Sequence, residues 1–231
     1  MADSSSPAAA APPDAVLFDC DGVLVDTEVT SSRVLAQMLM QHGIPTDGDE
    51  LRVRMKGTSL PWIERESARL LGGELPARWM EQFIARRLEI YRDGVAQLPG
   101  AAAAVGAVRR AGIPIAVVSQ GAREKMAVTL PASGMDVVLG SAPIFSGDDV
   151  ERGKPHPDLY LLAASRLGVE PAGCVVVEDS VPGVIGAVAA GMRVLGYAAD
   201  EDRARLLAAG AEPFDDLRAL PELLGLVGTA G

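Results

Sequence analysis

The stretch Ala15-Val16-Leu17-Phe18-Asp19-Cys20-Asp21-Gly22-Val23-Leu24-Val25-Asp26 decides how the rest of the chain is read. Four apolar residues run straight into an acid, and a second acid stands two positions on. The lack of polar alternation over residues 15–18 predicts a short strand covered on both faces, as in a parallel sheet. Asp19 then lies at the strand's C-terminal end and Asp21 in the turn that follows.

Outward from this point, residues 29–42 predict a helix. Val34, Leu35, Met38 and Leu39 form its apolar face, and Gly43 with Pro45 ends it. The pattern stays helical over residues 47–93, with segments 60–71 and 76–91 mixing apolar and charged residues at helical spacing. Beyond Gly94 the character changes. Helices over 101–111, 122–133, 158–167 and 182–190 alternate with strands over 113–119, 136–140, 174–178 and 193–196. That alternation predicts an α/β fold, a doubly wound parallel sheet with helices on both faces. The helical stretch reads as an insertion. The expected organisation is a tail over 1–13, a core over 14–28 and 95–231, and a helical cap domain over 29–94.

Composition limits the possible functions. The chain has 231 residues, 48% hydrophobic but only 4% aromatic, so small aliphatic side chains must fill the core. The formal charge is −10 and no basic stripe is present, which argues against a nucleic-acid partner. Residues 1–13 are small, polar or proline, read as a disordered tail rather than a secretory signal. No stretch has the apolar length of a membrane span. A soluble, cytoplasmic protein is expected. Cys20 and Cys174 read as reduced thiols, and His42 and His156 are too few and too far apart for a zinc site. Nothing in the sequence distinguishes monomer from dimer.

Ligands of such sheets bind at the C-terminal strand ends, and polar residues collect there. Asp19 and Asp21 follow the first strand, Ser119-Gln120-Gly121 the second, and Glu178-Asp179-Ser180 the strand over 174–178. Lys154 follows Gly153 in a loop before a helix. Taken singly each has a bland explanation: Ser180 with Pro182 is a helix start, and a lone lysine is usually solvated. Together, four acids at one sheet edge repel one another unless a divalent cation joins them, and carboxylates suit Mg²⁺. Phosphoryl transfer needs a nucleophile, charge neutralisation and a proton for the leaving oxygen. A carboxylate can be that nucleophile, and a second carboxyl two residues away can move the proton.

In these residues the chain resembles the haloacid dehalogenase superfamily of phosphohydrolases. Phe18–Asp26 is similar to its first motif, Val117-Val118-Ser119 to the second, Gly153-Lys154-Pro155-His156-Pro157-Asp158 to the third and Val177-Glu178-Asp179-Ser180 to the fourth. The resemblance implies a Rossmann-like core with a helical cap and an aspartyl-phosphate intermediate. It implies Asp19 as nucleophile and metal ligand, and Asp21 as general acid and base with its carbonyl on the metal. Ser119, Gln120 and Lys154 would bind phosphate. Asp179 would hold Mg²⁺ with Glu178 beside it. Within the cap, Met55-Lys56-Gly57-Thr58-Ser59 is similar to a substrate-selecting loop, which makes Lys56 and Thr58 candidates for substrate contact. An ordinary surface lysine is the alternative for Lys56.

The expected activity is a Mg²⁺-dependent phosphatase of a small phosphorylated metabolite, a sugar phosphate or sugar-acid phosphate. Phosphomutases resembling β-phosphoglucomutase are the main alternative. They carry a histidine where this chain has Ser31, and an arginine where it has Leu60. Segments 18–33 and 145–157 instead resemble bacterial sugar-phosphate phosphatases, especially those similar to 6-phosphogluconate phosphatase. A phospho-accepting receiver domain is a remote alternative, because its aspartate lies on a middle strand and it has no cap.

Overall fold

A computed structural model describes residues 12–55, 58, 60–198 and 203–226. The expected tail over 1–13 therefore lies almost entirely outside the described residues.

Six strands form one parallel sheet: β1 (Ala15–Phe18), β4 (Ile115–Ser119), β5 (Ile144–Ser146), β6 (Cys174–Glu178), β7 (Arg193–Tyr197) and β8 (Glu212–Phe214). Their order is β5-β4-β1-β6-β7-β8. A small antiparallel pair, β2 (Val25–Asp26) and β3 (Ala96–Gln97), lies beside it. Every pairing in the main sheet is parallel, with Phe18 opposite Val117 of β4 on one side and Val177 of β6 on the other. Successive crossovers leave β1 in opposite directions, so its C-terminal end is the switch point where such sheets open a crevice.

The side-chain period of two explains the layers. On β1, Val16 and Phe18 face one buried cluster with Val117, Val177, Val105 and Leu130. Ala15 and Leu17 face a second, with Val118, Val176, Leu159 and Val184. Helices α5 (Ala101–Arg110), α6 (Arg123–Ser133), α7 (Met135–Leu139) and α11 (Leu220–Leu223) supply the first cluster. Helices α8 (Asp158–Leu167), α9 (Val181–Ala189) and α10 (Arg203–Ala209) supply the second. All strand residues of β1, β4 and β6 are buried, which is why their sequences lack alternation.

Between β2 and β3 the chain forms α1 (Glu28–Gln41), α2 (Gly48–Met55), α3 (Leu60–Leu70) and α4 (Trp79–Arg92). These helices bury a third cluster of their own, including Leu35, Met38, Leu51, Ile63, Trp79 and Phe83.

One expected element differs. Residues 136–140 read as a strand, but Met135–Leu139 is helical and the strand is Ile144–Ser146. A short apolar run does not separate the two states by period alone. Burial does: Met135 and Leu139, four apart, are buried, whereas Val137 between them is 79% exposed. Strands β2, β3 and β8, of two or three residues each, carry too little pattern to be read from sequence.

Candidate active site

Asp19 is the first residue after β1, and its amide donates to Val177 O at 2.9 Å, so β6 fixes its backbone. Lys154 enters from the loop before α8. Its buried ammonium donates to Asp19 Oδ1 at 2.6 Å, Glu178 Oε2 at 2.7 Å and Val118 O at 3.0 Å. One cation thus bridges the ends of β1, β4 and β6. Glu178, the last residue of β6, is 1% exposed. Its other oxygen accepts from the Ser180 amide at 3.1 Å and hydroxyl at 2.7 Å, and Tyr160 OH donates to Oε2 at 2.9 Å. Ser180 is also the N-cap of α9, accepting from the Gly183 amide at 3.1 Å. The bland reading of Ser180 as a helix start therefore holds, and the same hydroxyl orients an acid of the site.

Asp19, Glu178 and Asp179 each offer a carboxylate oxygen, all within 4.8 Å of one another. Hard anionic oxygens at this spacing fit Mg²⁺. Two glycines make room for the acids. A β carbon at Gly183 would lie 2.1 Å from Glu178 Cδ, and one at Gly22 2.0 Å from Asp179 Oδ2. Burial, reinforced by Glu178, pushes the Asp19 carboxyl up to about 7 despite the attraction of Lys154. For Lys154, burial pulls the other way, but the charges of Asp19 and Glu178 win and hold its pKa well above the usual lysine value. One lysine among three acids leaves negative charge uncompensated, which a divalent cation would neutralise.

Asp21 faces a different set of partners. Its Oδ1 accepts from Thr27 Oγ1 at 2.6 Å and from Lys125 Nζ at 2.7 Å. Burial alone would raise its pKa. The charge and hydrogen bond of Lys125, with the Thr27 bond, bring it below the usual carboxylate value. Two acids two residues apart are thus pushed in opposite directions, one upward by burial with Glu178 beside it and the other downward by a lysine.

Ser119 ends β4 and is buried, and its Oγ accepts from the Gly121 amide at 3.0 Å. A β carbon at Gly121 would stand 3.2 Å from Ser119 Oγ and 3.3 Å from Asp21 Oδ2, so the three residues lie against one another. Gln120 points elsewhere: its Oε1 accepts from the Lys154 amide at 2.7 Å, clasping the loop that carries the lysine. Thr58 bonds locally, its amide and hydroxyl both reaching Met55 O at 3.0 and 2.7 Å. Lys56 lies outside the described residues. The acids, Ser119 and Lys154 singled out from sequence therefore converge, while Thr58 bonds within its own loop.

Sequence reading missed Lys125, Thr27, Tyr160 and Arg87. Lys125 stands six residues beyond Ser119 in the first turn of α6, a turn that opens at the strand-end edge, and this was the available signal. Tyr160 follows Asp158 of the third motif by two positions. Arg87, on α4, carries no sequence signal.

Residues 13–191 match the family model for haloacid dehalogenase-like hydrolases. The chain is 34% identical over 214 residues to 6-phosphogluconate phosphatase of Escherichia coli K12, covering 91% of this chain and 94% of that protein. It is 36% identical over 207 residues to hexitol phosphatase A of the same organism, covering 82% and 85%. A crystal structure of a HAD family hydrolase from Deinococcus radiodurans R1, with bound phosphate and sodium, superposes with a TM-score of 0.80 at 33% identity, covering 96% of this chain and 100% of that one.

Proposed function

The chain belongs to the haloacid dehalogenase-like hydrolases and is a phosphoric monoester hydrolase, and from that premise we propose that it dephosphorylates a sugar phosphate or sugar-acid phosphate through a phospho-Asp19 intermediate. The observation that carries this reading is the meeting of Asp19, Glu178 and Asp179 within 4.8 Å of one another, with Lys154 between the first two.

In this reading Asp19 attacks phosphorus in line, forming an acyl phosphate as the ester P–O bond breaks. Asp21 gives a proton to the departing alkoxide. In the second half it takes a proton from the water that attacks the phosphoryl group, releasing inorganic phosphate and regenerating Asp19. Lys154 and the Ser119 hydroxyl hold the phosphoryl oxygens, and Gln120 fixes the loop of Lys154. Asp19, Asp179 and Glu178, with the Asp21 carbonyl, would hold Mg²⁺. When bound, that ion supplies charge neutralisation at the phosphoryl oxygens.

Residues 29–94, which hold α1–α4 apart from Glu28, serve as the cap that covers the substrate, with the rest of 14–231 as core. Their separate apolar cluster supports this division. A phosphatase is favoured over a mutase because Ser31, where mutase-like relatives carry a histidine, is a hydrogen-bond link: its Oγ lies 2.9 Å from Tyr91 OH and accepts from Arg87 at 3.3 Å. The test is product analysis with Mg²⁺ and a hexose phosphate. Release of inorganic phosphate supports the reading, and isomerisation without release overturns it.

A further inference from the structure

Arg87 of α4 is a buried guanidinium, 8% exposed, that stacks 4.3 Å over the Phe83 ring. Its Nη1 donates to Ser31 Oγ at 3.3 Å, and its buried Nε has no hydrogen-bond partner. No carboxylate pairs with it among the described ion pairs. Burying a guanidinium with so few acceptors is costly unless something completes its shell. Among the described residues of the helical layer it meets the hydroxyls of Ser31 and Tyr91, which are also engaged with each other, and no carboxylate.

Where Arg87 sits suggests what completes it. Ser31 Oγ meets Tyr91 OH at 2.9 Å, and Tyr91 OH donates to Thr27 O at 3.1 Å. Thr27 Oγ1 donates to Asp21 Oδ1, and Lys125 Nζ reaches both Asp21 and Thr27 at 2.7 and 3.2 Å. Arg87 is thus joined to Asp21 through one continuous set of bonds crossing from α4 into the core. The charges around Asp19 and Asp21 divide into two poles. On one side three acids share Lys154. On the other, Lys125 pairs with Asp21, the only acid in that set, and Arg87 feels the same charge at longer range. The acidic pole suits a cation, and the basic pole is one negative charge short.

We propose that Arg87 binds a second oxyanion of the substrate, a carboxylate or phosphate on the end remote from the scissile ester. A guanidinium's planar fork of donors matches either group. This rests on the phosphatase reading and narrows it: the substrate carries negative charge at both ends, and Arg87 selects for the second.

The test compares three substrates of similar length: 6-phosphogluconate with a carboxylate tail, a hexose 1,6-bisphosphate with a phosphate tail, and a hexitol 6-phosphate with a neutral tail. Arg87→Gln lowers kcat/KM for the favoured doubly charged substrate roughly thirtyfold more than for the hexitol phosphate, mainly through KM, and Arg87→Lys recovers part of that gap. Which charged substrate shows the gap tells carboxylate from phosphate. Equal losses on all three substrates, or no recovery with lysine, overturn the proposal and leave the phosphatase reading standing. Calorimetric binding to an Asp19→Asn protein separates the two claims. Arg87-dependent binding of the charged substrates there, from a wild-type protein that releases no phosphate, supports the subsite and overturns the phosphatase reading. If the glutamine variant does not fold, the lysine variant carries the comparison, with the same gap expected on a smaller scale; no gap counts against the subsite.

Discussion

The Asp179 carboxylate occupies the place where any residue but glycine at position 22 would put its side chain: a β carbon on Gly22 would stand 2.0 Å from Asp179 Oδ2. Gly22 also has φ of +82°, a left-handed conformation that costs a side-chain-bearing residue about 1–2 kcal/mol. The turn that separates Asp19 from the next strand therefore sets the position of the acid that follows β6. Gly22→Ala should weaken Mg²⁺ binding about tenfold or more by displacing Asp179. Isothermal calorimetry with Mg²⁺ measures this, and unchanged affinity in a folded variant would show that Asp179 is not a ligand.

Lys154 is 4% exposed at its side chain and separates two acids that are themselves buried. Lys154→Met leaves Asp19 and Glu178 facing each other without a cation. Removing one partner of such a buried set costs about 3–5 kcal/mol. The variant should melt well below the wild type in EDTA and regain part of the difference with Mg²⁺. Equal melting temperatures in EDTA would contradict the electrostatic picture of the site.

The pH dependence follows from Asp19, whose pKa in the metal-free fold is raised from 3.8 to about 7. Between these values the folded carboxyl holds a proton that the unfolded chain has lost. Its contribution to stability is therefore intact below about pH 4 and is lost as pH rises towards 7. A cation must displace that proton. Apparent Mg²⁺ affinity should fall as pH drops below about 7, with proton release on binding at about pH 6. Calorimetry in buffers of different ionisation enthalpy counts the protons, and pH-independent affinity from about pH 5 to 8 would contradict it.

Much of this was legible in the sequence. Residues 15–18 and 174–177 are continuous apolar runs because both faces of β1 and β6 are covered, and an acid at the end of such a run can only sit at the sheet edge. The site's core followed from that. What stayed hidden depends on tertiary contact. Lys125 and Asp21 are 104 positions apart and meet only once α6 packs beside the β1 turn. Arg87 looks like any polar residue of an amphipathic helix until the fold buries it. The 136–140 segment was misread because five residues contain too few periods to decide between strand and helix.

Lys125 gives a further prediction. Its charge and hydrogen bond lower the pKa of Asp21 against the upward pull of burial. Because Asp21 must be protonated to give its proton to the leaving alkoxide, Lys125→Met should let that pKa rise and move the alkaline limb of the kcat/KM profile to higher pH while lowering kcat, at a cost of about 1–3 kcal/mol of stability. A pH–rate profile with an unmoved alkaline limb would remove Lys125 from the proton-transfer machinery.

The most direct test is to mix enzyme, Mg²⁺ and a turned-over sugar phosphate, quench with acid within one turnover, and map phosphorylated peptides by mass spectrometry. One phosphoryl group on Asp19, absent together with turnover in Asp19→Asn, is the expected result. Turnover that survives in Asp19→Asn, or a phosphoryl group trapped on another residue, would contradict it.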